Sequence, residues 1–198
     1  VSTDPYTLAR AAAEELARRT GRDRHDAAIV LGSGWQEAVA SLGEDPVDVV
    51  AHELPGFSEP SVAGHHGLLR SVRVGGKAVL LCIGRVHLYE GRTPAEVVHP
   101  VRTAVFAGAA TVVLTNAAGG LNPDYRAGEA VLIADHLNLT GASPLTGPLP
   151  PDDVPGRFVD LTGVYPHTLR ELAREGGTQL AEGVYAGLVG PQYETPAE

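Results

Sequence analysis

Apolar and polar positions along this chain fall into runs of two periods. Between residues 4 and 19, Leu8, Ala12 and Leu16 recur at helical spacing with alanines beside them, while Glu14, Glu15, Arg18 and Arg19 take other faces. The spacing predicts an amphipathic helix ended near Gly21. Residues 27–31 are wholly apolar and predict a buried strand that runs into the turn Gly32-Ser33-Gly34, with a helix expected over 35–42. Residues 53–67, which hold Pro55, Gly56, Pro60, Gly64, His65, His66 and Gly67, read as a long irregular loop. Residues 69–74 and 78–83 predict a hairpin closed by Gly75-Gly76. A helix suits 94–107, with Pro94 in its first turn and Pro100 kinking or dividing it.

The second half continues the alternation. Residues 111–115 predict a short β-branched strand that empties into Asn116-Ala117-Ala118-Gly119-Gly120, and 130–134 another buried strand, followed by Asp135-His136-Leu137-Asn138-Leu139-Thr140. A loop rich in proline and glycine is expected over 141–156, a helix over 165–175, a strand over 183–189 and a loop over 191–198. Strands that alternate with helices imply an α/β fold: a central, mostly parallel or mixed β-sheet flanked by helices on both faces, in three layers. Ligands in such folds sit beyond the carboxyl ends of strands.

Composition narrows this picture. A chain of 198 residues with 43% hydrophobic and 20% charged residues suits one globular domain over 1–198. The net charge of -9 argues against nucleic acid or an anionic membrane as partner, since both select basic surfaces, so any anion site must be local. The single cysteine, Cys82, lies inside an apolar strand without a disulfide partner. No run approaches the roughly 18 to 20 apolar residues of a membrane span and no apolar signal core opens the chain, so a soluble, cytoplasmic setting is expected. The absence of methionine, even at the start, suggests a processed or incomplete chain.

The most informative chemistry is Gly84-Arg85-Val86-His87-Leu88-Tyr89-Glu90-Gly91, just after an apolar strand. If extension persists, Arg85, His87 and Tyr89 share a face, since residues two apart point the same way. Arginine offers a planar fork for phosphate or carboxylate, histidine a donor that can also move a proton, and tyrosine a flat body with a polar tip. The bland alternative is a strand end with solvated polar residues, and spacing alone leaves both open. Two further strand ends, Gly32-Ser33-Gly34 and Asn116-Ala117, expose backbone amides suited to anions. Other readings fail on pattern. A dinucleotide fingerprint needs glycine where Glu37 stands, the phosphate-binding loop lacks its lysine, and no nucleophile elbow surrounds Ser33. Eight histidines show no metal-ligand spacing, so no metal is expected. His52, His99 and His167 read as surface or structural residues.

These motifs, with Leu31-Gly32-Ser33-Gly34, Gly64-His65, Asp135-His136-Leu137-Asn138-Leu139 and Gly190-Pro191-Gln192-Tyr193-Glu194-Thr195, make the chain from about residue 27 to 198 resemble the trimeric class of purine nucleoside phosphorylases, actinobacterial type. The resemblance implies the fold of that family and reversible cleavage of a purine nucleoside by orthophosphate. The products are free base and (deoxy)ribose 1-phosphate, with phosphate as co-substrate and no cofactor. It also implies roles. Ser33, Arg85, His87, His65 and the backbone amide of Ala117 would bind phosphate, with His65 and Asn116 lining the phosphate and ribose side. Tyr89 would lie along the ribose, Tyr193 would cover sugar and base, and Glu194 would accept from the purine N1–H. His87, Glu194 and Asn116 would carry the chemistry. An aromatic from the 141–160 loop, with Phe158 the candidate, would reach a neighbouring subunit's ribose site in a homotrimer whose sites lie near subunit interfaces.

A carboxylate at Glu194 suits inosine and guanosine, whose N1 carries a proton, and disfavours adenosine. The family pattern continues beyond residue 198 with a serine for phosphate and an asparagine for the base, so the chain is expected to lack a C-terminal part. The alternatives are a methylthioadenosine phosphorylase of the same fold, against which Glu194 argues, and a non-catalytic nucleoside-binding relative.

Overall fold

The structure, a computed structural model, describes residues 4–58, 67–176 and 180–198. In chain order its elements are α1 (Pro5–Thr20), β1 (Ala27–Leu31), β2 (Glu44–Val50), β3 (Leu68–Val74), β4 (Lys77–Ile83), α2 (Pro94–Val97), α3 (His99–Phe106), β5 (Thr111–Leu114), β6 (Val131–Asn138), α4 (His167–Glu175) and β7 (Ala181–Gly187). The chain forms two compact units, Val1–Ala117 and Ala118–Glu198.

The first unit is built on β1, whose apolar residues can be buried on both sides. It pairs in parallel with β4, Leu31 opposite Ile83, and with β5, Val30 opposite Leu114. The antiparallel hairpin of β3 and β4 and then β2 extend the sheet on one side, in the order β2-β3-β4-β1-β5. The sheet is therefore mixed. Its alternating side chains feed two cores. Ala28, Val30, Leu69, Leu80 and Cys82 pack with Ala12, Ala13 and Leu16 of α1 and Ala104 of α3. On the opposite face Leu31, Val72, Val79 and Leu81 meet Val39 and Leu42.

Local chemistry explains the borders. Asp4 caps α1 by accepting from Thr7 N–H at 2.7 Å, and Arg18 and Arg19 stand in the last turn, where cations favour the exposed carbonyls. Gly75 and Gly76, with φ of 54° and 79°, supply the two left-handed positions that a tight hairpin turn requires. The expected helix over 94–107 is divided into α2 and α3 at Val98, two residues before Pro100.

Three differences from the sequence reading have physical causes. Residues 35–42 form a 3-10 turn, Gln36–Ser41, and not an α-helix, so no full helix dipole stands behind the Ser33 turn. β2 was not expected, because acidic residues and Pro46 break its apolar pattern. It sits at the sheet edge, where proline is tolerated, with a register shift between Glu44 and Val47. β5 pairs as expected but is only partly covered, with Leu114 61% exposed at the opposite edge.

In the second unit β6 and β7 form a parallel pair with a register shift between Ile133 and Asp135. β6 runs on to Asn138, past the expected end at 134, and none of its residues is fully buried. Arg170 and Arg174 of α4 each reach Glu182 at 2.6 Å, and Tyr125 donates its hydroxyl to Glu182 O at 3.0 Å.

Candidate functional site

The parallel register of β4, β1 and β5 ends the three strands side by side, so the turns at Gly32, Gly84 and Thr115 emerge together. Thr115 is the hub. Its N–H and Oγ1–H donate to Val30 O at 3.0 and 2.9 Å, its Oγ1 accepts from Gly32 N–H at 3.0 Å, and its carbonyl accepts from Arg85 Nη1 at 3.1 Å. One threonine thus ties all three turns. Gly32 is needed for closeness: a Cβ there would lie 2.6 Å from Arg85 Nη1, 3.0 Å from Asn116 Cα and against Thr115 O. Backbone crowding at residue 32 is what seats the guanidinium beside the β5 exit.

The Arg85–His87 stretch is not regular strand, and the expected extension stops at His87 (φ -128°, ψ 159°). A 3-10 turn, Leu88–Glu90, follows, so Tyr89 does not share a strand face with Arg85. The turn nevertheless lays Tyr89 on His87, ring centroids 4.7 Å apart and planes within 11°. Tyr89 remains 45% exposed.

Glu90, which the sequence reading left without a role, closes this turn. Its Oε1 accepts from His87 N–H at 2.8 Å and pairs with His87 Nδ1 at 2.9 Å, and its side chain is only 5% exposed. The carboxylate at Nδ1 fixes the ring orientation and leaves Nε2 as the ring nitrogen that Glu90 does not engage.

Of the other residues singled out, Ser33 is exposed on its turn, as is Ala117. Asn116, half-buried, donates Nδ2–H to Ala117 O at 3.0 Å. Ser33, Arg85, His87, Asn116 and Ala117 thus lie in the first unit on the converging strand ends. Tyr193, Glu194 and Phe158 belong to the second unit and are exposed, Tyr193 at 92% and Phe158 at 98%. His65 lies outside the described residues. Trp35, the chain's one tryptophan, follows the Ser33-Gly34 turn directly and is 38% exposed.

Cys82 is core, as expected: it is 1% exposed, and burial pushes its thiol up to about 12. His99 is also structural, 3% exposed, and burial lowers its pKa. Among the described residues no group of three His, Cys, Asp or Glu side chains could hold a metal ion, and no helix is long and apolar enough to cross a membrane.

A mixed sheet with flanking helices, whose parallel strands end level with one another at turns carrying an arginine and a carboxylate-held histidine, defines an α/β protein. The profile of the Phosphorylase superfamily matches residues 26–198, and the chain belongs to that family. It is similar to the purine nucleoside phosphorylase of Mycobacterium tuberculosis, 57% identical over 195 residues that cover 98% of this chain and 70% of the relative. The purine nucleoside phosphorylase of Cellulomonas sp is 52% identical over 202 residues, which cover 100% of this chain and 69% of the relative. Among solved structures, isoform 2 of purine nucleoside phosphorylase from Schistosoma mansoni, in complex with cytosine and ribose-1-phosphate, superposes with a TM-score of 0.87 at 34% identity. The match covers 97% of this chain and 70% of that one. A Schistosoma mansoni purine nucleoside phosphorylase in complex with inosine gives 0.86 at 32% identity, over 97% of this chain and 69% of that one.

Proposed function

We propose that the protein is a purine nucleoside phosphorylase, a pentosyltransferase of purine salvage. It cleaves the N-glycosidic bond of inosine, guanosine or their deoxy forms with orthophosphate, giving free base and (deoxy)ribose 1-phosphate. The observation that carries this reading is the gathering of three strand ends on Thr115, whose hydroxyl takes the Gly32 N–H and whose carbonyl takes the Arg85 guanidinium, two residues before His87. The names of the relatives support the same activity.

In this reading Ser33, Arg85, His87, His65 and the Ala117 amide hold phosphate. As the C1′–N9 bond breaks, the sugar gains oxocarbenium character, which the adjacent dianion stabilises before its oxygen bonds to C1′. The electron pair leaves on the purine, which takes up a proton on its ring. Asn116 and Tyr89 serve the ribose side, with Phe158 from a neighbouring subunit, and Tyr193 covers sugar and base. Glu194 accepts from N1–H of a 6-oxopurine; adenine has only a lone pair at that position, so the site selects by hydrogen-bond polarity. No cofactor or metal takes part. The working form is a homotrimer with sites near its interfaces, in the cytoplasm, and residues 1–198 belong to a single α/β domain.

Incubation of the full-length enzyme with inosine tests this. Hypoxanthine release that requires phosphate is expected, with adenosine a far poorer substrate. Release without phosphate would replace phosphorolysis by hydrolysis, and preference for adenosine or its methylthio derivative would move the base assignment away from Glu194.

A further inference from the structure

A second set of contacts lies behind the anion turn. The connection from β2 to β3 leaves the sheet at Ala51, whose N–H donates to Gly67 O at 2.8 Å. Its first arm, residues 51–58, is held by α2 and α3 at three points. His99 Nε2–H donates to Pro55 O at 2.9 Å, the His99 ring meets Phe57 edge-on at 4.7 Å between centroids, and Ser58 Oγ–H donates to Glu96 Oε1 at 3.0 Å. The other oxygen of Glu96 accepts from Thr93 N–H and Oγ1–H, each at 2.8 Å. One carboxylate therefore both starts α2 and fastens the arm. These helices follow directly on the Arg85–Glu90 stretch, and a small cavity is walled by Phe57 and Ser58 of the arm, Glu96 and Pro100 of the helices, and Arg85 and Val86 of the anion turn. The arm is thus a wall of the same cavity as Arg85.

We infer that Glu96 and His99 are positioning residues, which clamp the 51–58 arm to α2 and α3 and so hold the Arg85 segment where it binds phosphate. This rests on the phosphorylase reading. None of the contacts given above joins Glu96 or His99 to Arg85, His87 or Thr115; both act through the arm. A displacement of the arm would shift the guanidinium relative to the Thr115 carbonyl without touching the base-binding residues. It follows that the clamp governs phosphate more than nucleoside.

The test uses the full-length protein with inorganic phosphate, titrated calorimetrically, together with steady-state KM values for phosphate and inosine and a melting temperature. Glu96→Ala and His99→Phe are each expected to raise the phosphate Kd and KM about fivefold, the effect of losing one hydrogen bond to a charged or buried partner. The KM for inosine stays put, and Glu96→Gln, which keeps an acceptor for Ser58, restores phosphate affinity. Should Glu96→Ala fold poorly through loss of the α2 cap, Ser58→Ala removes the same bond and leaves the cap intact. A lower melting temperature with unchanged phosphate affinity, or an equal rise of both KM values, overturns the clamp and leaves the phosphorylase reading standing. Absence of phosphate binding in the unaltered protein overturns that reading, and the clamp with it.

Discussion

At the level of single residues, Gly32 decides the geometry of the anion turn. Replacement by alanine would drive a methyl group onto Arg85 Nη1 and the Thr115 carbonyl, and the expected cost is ~1–3 kcal/mol of stability in urea denaturation, with weakened phosphate binding. Unchanged phosphate affinity in that variant would show that the guanidinium is not seated by backbone crowding. His25 sets a pH limit. It is 1% exposed, with Nε2 2.6 Å from Ser71 Oγ, to which Arg22 Nη1 donates at 2.7 Å, and Asp26 stands next to it in the chain. Burial first, and the Arg22 charge second, push its pKa down to about 4, from 6.5 in the free side chain. As pH falls from about 6.5 to 4 the unfolded chain takes up a proton that the native chain refuses, so stability is full above 6.5 and drops by about 2–3 kcal/mol towards pH 4. Denaturation midpoints across this range check it, with His25→Gln expected to flatten the profile. Glu15, held at about 2 by hydrogen bonds from Arg18 and Arg19, acts in a separate, more acid window below its ordinary 4.5. Arg85 and His87 stand out in the sequence as candidates because their chemistry is distinctive. Thr115 and Glu90 do not, since a threonine ending a β-branched strand and a glutamate in a turn have ordinary local explanations, and their partners are set by the parallel register and the turn geometry.

Among the elements, the 3-10 turn Leu88–Glu90 bears most on function. It replaces the extension that period-two spacing predicts, yet keeps His87 and Tyr89 together by stacking. Glu90→Ala should release the His87 ring and raise the KM for phosphate about fivefold to tenfold, while Glu90→Gln, which retains an acceptor, falls between; equal kinetics for all three proteins would remove Glu90 from the site. The elements that could be read from sequence are those whose signal is local. The run at 27–31, the Gly75-Gly76 hairpin and the α1 periodicity each carry their own pattern. β2 could not be read that way, because an edge strand with Pro46 and acidic residues is made by pairing with β3 and not by its own composition. Residues 35–42 read as a helix because Val39 and Leu42, three apart, cover the same face of the sheet, yet the segment closes as the 3-10 turn Gln36–Ser41.

For the molecule as a whole, burial is uneven along the chain. Every buried hydrophobic residue among those described lies at or before Ala109, whereas Leu137, Leu139, Leu172 and Val184 are all more than half exposed. Amide exchange of the 198-residue chain should therefore be slowest in β1, β4 and α1, and much faster in β6 and β7, whose two-stranded pairing has little apolar cover. Equal protection throughout would contradict that distribution. The mixed sheet was legible from alternation of strand and helix, but which strands stop level with one another follows only from register. Trp35 has a practical consequence of its own. As the one indole in a chain with six tyrosines, placed directly after Ser33-Gly34 and partly open to water, it gives the chain an intrinsic fluorophore at the exit of β1. Emission of the 198-residue chain excited at the red edge of indole absorption follows that turn alone, so its surroundings can be watched in solution without a label.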